Sequence, residues 1–181
     1  GSGVLQAMHV SSISLRDLLT LMIIVSDNTA TNKVIELVGM DQLNKGFRQI
    51  GLSSTALKRE MMDLEKFQLG IDNVTTAADL YTCLRVVNDE MVLSKNSRGV
   101  FYEIMQAQQF QHKLPFYMDK QRVTISNKTG SIAGVENDCG IFQMADRTIY
   151  AAVLCNQLRA EHEGIYFIQL IGKKISRLLE D

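Results

Sequence analysis

Arg122-Val123-Thr124-Ile125-Ser126-Asn127-Lys128-Thr129-Gly130 is the stretch at which the chain changes its hydrophobic period. Before it, apolar residues recur at helical spacing; within it and after it they alternate as in strands. The reading is a strand over 122–127 that leads into Lys128-Thr129-Gly130 at its end. Residues 135–144 and 148–155 read as two more strands, joined at Ala145-Asp146 as a hairpin. Beyond them Ile165, Ile168, Ile171, Ile175 and Leu178 recur at spacings of three and four, which predicts a closing helix. Helices, then three antiparallel strands, then one helix packed on them make an α+β arrangement.

Working back toward the start, Ser14-Leu15-Arg16-Asp17 is a helix opening, a serine followed three residues later by an acid. The helix it opens continues through Leu21-Met22-Ile23-Ile24-Val25. That run is apolar on every side, so a central, fully buried helix is expected. Ser26-Asp27-Asn28 ends it, since these residue types favour turns and caps. A second helix follows with Ala30, Val34, Ile35 and Val38 on one face and Gly39 as its C-terminal cap. A third uses Leu43, Phe47 and Ile50 and ends at Gly51. Residues 52–74 lose periodicity and read as a long loop with one helical turn around Met61 and Met62. Thr76 and Asp79 open another helix bearing Leu80, Cys83, Leu84 and Val87. A further helix carries Val100, Phe101, Ile104 and Met105, and the single proline, Pro115, lies in the connection that follows.

The bulk properties exclude several functions. Hydrophobic residues are 46% and charged residues 22%, which is ordinary globular usage and argues against disorder. Net charge is −1 with no basic stripe, so no nucleic-acid partner is expected. No apolar run reaches the length of a membrane span. Cys83, Cys139 and Cys155 form no C-x-x-C pair, and His9, His112 and His162 stand apart. These are read as buried or free thiols and isolated histidines, with no metal site and no cofactor expected.

Two short motifs carry chemistry. Ser26-Asp27-Asn28 sits in a turn between two apolar helices, and Lys128-Thr129-Gly130 sits on a strand. A hydroxyl beside a lysine suits acyl transfer, because the cation attracts a substrate carboxylate and eases proton transfer through the hydroxyl. Glycine lets a substrate lie against the strand. Each tripeptide alone is common; their order and settings together are informative.

The stretches from Ser14 to Asn32, Asn73 to Thr76 and Asn127 to Gly140 resemble the class A β-lactamase and penicillin-binding serine hydrolase family. The resemblance runs from Val10 to Asp181. It implies a transpeptidase-like fold, a helical lobe over about residues 10–118 and a sheet with its C-terminal helix over about 119–181, in a single domain. It implies that Ser26 relays a proton to the leaving nitrogen and that Asn28 hydrogen-bonds the substrate. Asp27 would hold the turn. Lys128 would bind the substrate carboxylate and polarise Ser26, and Thr129 would bond the same carboxylate beside Gly130. The backbone N–H of Ser131 would form half of an oxyanion hole. Ser26 and Lys128 are expected to face each other across a cleft. The substrate would be a β-lactam or an acyl-peptide, the setting antibiotic resistance, and the location periplasmic or extracellular, although no secretory signal is visible at the start.

The departures matter as much. The family's nucleophile lies in an S-x-x-K motif upstream of S-D-N. Ser2, Ser11, Ser12 and Ser14 are followed three residues on by Leu5, Ser14, Leu15 and Asp17, so none supplies it. Thr55-x-x-Lys58 has the spacing but lies in the loop. The expected deacylation glutamate has no E-x-x-L-N string; Glu60, Asp63 and Glu65 are the carriers available, with Glu60 the candidate. The expectation is a β-lactamase-like domain without its N-terminal strands and nucleophile helix. Such a chain is expected to be inactive alone unless another polypeptide or an N-terminal segment supplies the serine, and a complementing N-terminal polypeptide or self-association is expected to cover its open faces. A D,D-peptidase-like or esterase-like hydrolase on the same fold is the alternative. A non-catalytic fragment that keeps a carboxylate pocket is a third reading.

Overall fold

The structure, a computed structural model, describes residues 2–181. Two compact units divide the chain, one ending at Asp79 and the other beginning at Leu80. In the first, a 3-10 turn at Leu5–Ala7 precedes four helices: α1 (Leu15–Ile24), α2 (Asn28–Val38), α3 (Met40–Gln49) and α4 (Leu64–Gln68). Ser14 caps α1 as its sequence asks. Its hydroxyl accepts from the Asp17 N–H and donates to the Asp17 carboxylate. Leu5, Leu18, Ala30 and Val34 form the core of this unit, flanked by Ile13, Leu19, Leu21 and Met22.

Three details differ from the sequence reading here. α1 is not fully buried: Leu18 alone is buried, Leu15 is half exposed, and residues 19–25 are half-buried. Its main partner is α2, so an all-round apolar helix is covered chiefly along one side. Val38, the last helical residue before the Gly39 cap, is exposed where α2 runs past the core cluster. The helical turn expected around Met61 and Met62 lies instead at Leu64–Gln68, because Asp63 caps that segment by accepting from the Lys66 N–H. The expected Gly39 cap is present, at φ 87°.

The second unit contains most of α5 (Ala77–Val86), then α6 (Lys95–Gln106), a 3-10 turn at Leu114–Tyr117, and strands β1 (Thr124–Ile132), β2 (Val135–Met144) and β3 (Arg147–Cys155). α7 (Glu161–Glu180) closes it. The sheet is an antiparallel meander in the order β1-β2-β3. β1 and β2 stay in register from Thr124↔Gln143 to Ile132↔Val135. The strand starts two residues later than expected, because Arg122 and Val123 donate to the Asp119 carbonyl in a turn. It also runs past Gly130. Lys128-Thr129-Gly130 therefore lies inside β1 rather than at its end, and the chain reverses only at Gly134, whose φ is 73°.

α7 packs on β2, β3 and the Leu114–Tyr117 turn. Leu114, Met118, Val123, Ile125, Phe142, Ile168, Ile175 and Leu179 make the core between them. Each such aliphatic burial is worth roughly 1.5–3 kcal/mol. The buried residues of α7 are Gly164, Ile168, Gly172, Ile175, Ser176 and Leu179; Leu178 is exposed. An apolar-only count misses the glycines that complete this stripe. At Gly172 an added Cβ would stand 2.0 Å from the Leu114 carbonyl oxygen, so glycine is what admits this approach.

Candidate active site

Ser26-Asp27-Asn28 is built around one buried carboxylate. Asp27 is 1% exposed and caps α2 by accepting from the Ala30 N–H at 2.9 Å. Its other oxygen accepts from the N–H groups of Val4 at 2.6 Å and Leu5 at 2.8 Å. Burial alone would raise this carboxyl, but the N–H groups of Leu5, Ala30, Val4 and Thr29 together hold it below the usual carboxylate range. Gly3, at φ 106°, passes so close that a Cβ there would overlap the Asp27 carboxyl. The clamp holds Ser26 in the left-handed region, at φ 57°, which L-residues other than glycine rarely adopt. Asn28 begins α2, and its N–H donates to the Ser2 carbonyl.

Glu60 lies in the same unit and is exposed. Its neighbour Met61 is tied to α2 by a two-way pairing with the Asn32 side chain, at 2.8 and 3.0 Å. Asn73 fixes Lys58 and Arg59 in turn, accepting from both N–H groups. The Thr55 hydroxyl donates to the Asp79 carboxylate at 2.7 Å, so it serves to anchor the start of α5. No serine in all 181 residues is followed three positions later by lysine.

The other expected site residues belong to the second unit. Lys128 stands opposite Cys139 in the β1–β2 register, and its half-buried ammonium donates to the Thr129 carbonyl at 2.6 Å. Burial lowers its pKa from the usual lysine value, with Cys139 and Asp138 pulling the other way. Thr129 is buried opposite Asp138, and Gly130 is opposite Asn137. A Cβ at Gly130 would meet nothing closer than 3.8 Å, so the protein's own packing does not require glycine there.

Ser131 is exposed, yet its hydroxyl is held from beneath. It donates to the Glu136 carboxylate at 2.8 Å and accepts from the Lys113 ammonium at 3.0 Å. Lys113 is completely buried and pairs with the same Glu136 oxygen at 2.5 Å. It also donates to the carbonyls of Gly130 and Asn137. Next to it, Asp138 accepts from the Leu114 N–H and the Asn127 amide, while burial pushes its carboxyl up to about 6. Sequence reasoning missed Lys113, Glu136 and Asp138. The clue was a strand whose alternation puts Glu136, Asp138 and Gly140 on one face, which proves to be the buried one.

The three thiols are unbridged and half-buried. Burial raises Cys139 to about 12, which keeps it protonated beside Lys128.

The family model for the beta-lactamase enzyme family matches residues 1–179. Among solved structures, a beta-lactamase from Sphaerobacter thermophilus is 29% identical with a TM-score of 0.89, over 99% of this chain and 69% of that one. PBP-A is 28% identical with a TM-score of 0.87, over 99% of this chain and 67% of that one. A class A beta-lactamase representative from Bacteroides cellulosilyticus is 24% identical with a TM-score of 0.82, over 93% and 65%, a likeness of fold. The chain thus spans about two thirds of these relatives' lengths. No curated protein matches it. With a family match over nearly every residue and a shared fold, this chain belongs to the beta-lactamase enzyme family.

Proposed function

We propose that this chain carries the carboxylate-binding and proton-relay half of a serine acyl hydrolase acting on β-lactams. Lys128 and Thr129 take the substrate carboxylate, Gly130 leaves room for it, and the Ser131 N–H polarises the lactam carbonyl. Ser26 passes the proton to the leaving nitrogen, Asn28 orients the substrate, and Asp27 fixes the turn. The observation that carries the reading is the family match together with the setting of the two motifs. The strained Ser26 is held by a three-point carboxylate clamp, and Lys128-Thr129-Gly130 lies in a paired strand. Strain at a polar residue, maintained by the surroundings, is a feature of working sites. The open space at Gly130 fits the same reading.

The nucleophilic serine, in this proposal, comes from a polypeptide segment outside these 181 residues. A penicillin G acyl-enzyme complex of a PBP-A mutant makes penicillin G a natural probe. The isolated chain is expected to give no steady turnover of a chromogenic cephalosporin, and turnover to appear once an S-x-x-K-bearing segment is supplied. Turnover by the isolated chain, abolished by Ser26→Ala, would sink the division of labour.

The exposure of Glu60 favours a second reading. A penicillin-binding or D,D-peptidase-like enzyme acylates without fast deacylation, and an exposed carboxylate is a poor water-activating base. Slow release of bound penicillin from the complemented enzyme selects that reading; rapid release selects the lactamase. The proposed location is periplasmic or extracellular, after the family's habit. Among the described residues no helix is long and apolar enough to cross a membrane.

A further inference from the structure

We infer that Ser131, Glu136 and Lys113 form a second nucleophilic site, on the same strand as Lys128-Thr129-Gly130 but using the Ser131 hydroxyl rather than its N–H, that accepts small activated esters. The geometry is that of an activated serine: hydroxyl, base within hydrogen-bond reach, and a third group that orients the base. The Ser131 hydroxyl donates to Glu136 Oε2 at 2.8 Å, and Lys113 Nζ pairs with that same oxygen at 2.5 Å. Lys113 also donates to Ser131 Oγ at 3.0 Å, which stabilises negative charge there as the proton leaves.

The three residues differ in access in the way a nucleophile and its support should. Ser131 is exposed, and Ile132 beside it is 58% exposed, so an electrophile can approach from solvent. Lys113 is 0% exposed and Glu136 2%, so the ion pair beneath the hydroxyl is set back from bulk solvent. The carbonyls of Gly130 and Asn137 hold the ammonium from two strands, so the support is rigid. A buried ion pair adds little stability over an apolar pair of the same size, so stability alone does not account for it.

The step balances without a co-reactant. Ser131 Oγ bonds to the ester carbonyl carbon, and its proton passes to Glu136 Oε2. The carbon–oxygen bond to the leaving alkoxide breaks, and Glu136 returns the proton to it. Water then attacks the acyl carbon, giving its proton to Glu136, and Ser131 Oγ leaves and is reprotonated. Lys113 is too deep to touch the substrate oxyanion, and an absent oxyanion donor costs about 10²–10³ in rate. The site should therefore show stoichiometric labelling and slow esterase turnover rather than fast catalysis.

The test uses the isolated chain and a fluorophosphonate, with no β-lactam and no second polypeptide present, so its result is separate from the fate of the carboxylate-pocket reading. Attack by Ser131 forms the oxygen–phosphorus bond and expels fluoride. One added phosphonate, mapped to Ser131 by peptide mass spectrometry, is the expected result. Ser131→Ala, which keeps the backbone N–H, should abolish it, and Ser12→Ala should leave it unchanged. Glu136→Gln should slow labelling by about 10²-fold or more, the usual share of a general base, with circular dichroism to verify folding. Should Glu136→Gln fail to fold, the site map and Ser131→Ala still decide. No labelling of the native chain, labelling that persists in Ser131→Ala, or an unchanged rate in folded Glu136→Gln would overturn the inference.

Discussion

Asp27 in the first unit and Asp138 in the second are each 1% exposed, and their carboxyls are displaced in opposite directions. Burial works against the charge in both. At Asp27 the N–H groups of Leu5, Ala30, Val4 and Thr29 outweigh it. At Asp138 the Asn127 amide, the Leu114 N–H and the nearby Lys113 charge do not. Low exposure by itself therefore does not decide whether an acid stays charged: Asp138 meets a comparable set of donors but is desolvated far more heavily, and there burial wins. The first unit uses a carboxylate as a fastener for its own backbone. The second keeps one poised near a titration point beside an ion pair.

The largest expected effect tests the fastener. Asp27→Ala strands two N-terminal N–H groups and the α2 cap, and should cost on the order of 3–5 kcal/mol. Chemical denaturation with hydrogen exchange should locate the loss in residues 2–79; a loss below about 1 kcal/mol would break the comparison.

Titration comes next. With a folded value of about 6 against 3.8 unfolded, Asp138 binds more protons when folded across that window. Its contribution is full below the unfolded value and is lost as pH rises toward 6, by up to about 3 kcal/mol. Asp27 has the opposite sign: its contribution is present above 3.8 and is lost as pH falls through its lowered folded value. Amide exchange followed from pH 7 down to pH 3 should show the second unit gaining protection before the first loses it. Asp138→Asn should flatten the second unit's curve and leave the first unit's unchanged.

Gly172→Ala should cost about 1–3 kcal/mol, since the methyl meets a backbone carbonyl that cannot rotate away. A melting curve equal to that of the native chain would show that α7 can shift outward. Leu178→Ser should change stability by no more than about 0.5 kcal/mol because Leu178 faces solvent, while Leu179→Ala should cost about 2–5 kcal/mol. Equal effects would mean the stripe on α7 is assigned wrongly.

Much of the fold was legible because it follows from local periodicity. β2 falls at residues 135–144 as read, and the Ser14 and Gly39 caps are where the sequence puts them. What escaped depends on what lies opposite. The apolar run of α1 gives no hint that α2 is its main neighbour, and alternation in β2 marks two faces without saying which one is buried. The glycines of α7 carry no hydrophobicity, so a count of apolar side chains passes over them. For the candidate site, residue types and order revealed the two motifs. Lys113 stayed hidden because a lysine before Leu-Pro reads as a solvated loop residue, and its partner Glu136 lies 23 positions away.

β3 has one strand neighbour, and its other edge has no strand partner among the described residues. Past Arg147 at its start, β3 has no further charge and no proline, the two devices that usually discourage a strand from recruiting another. The practical outcome is colloidal: as concentration rises, copies should add edge to edge, and turbidity should follow protein concentration more steeply than heat. A single lysine placed at exposed Thr148, beside Arg147, should raise the solubility ceiling without touching either motif.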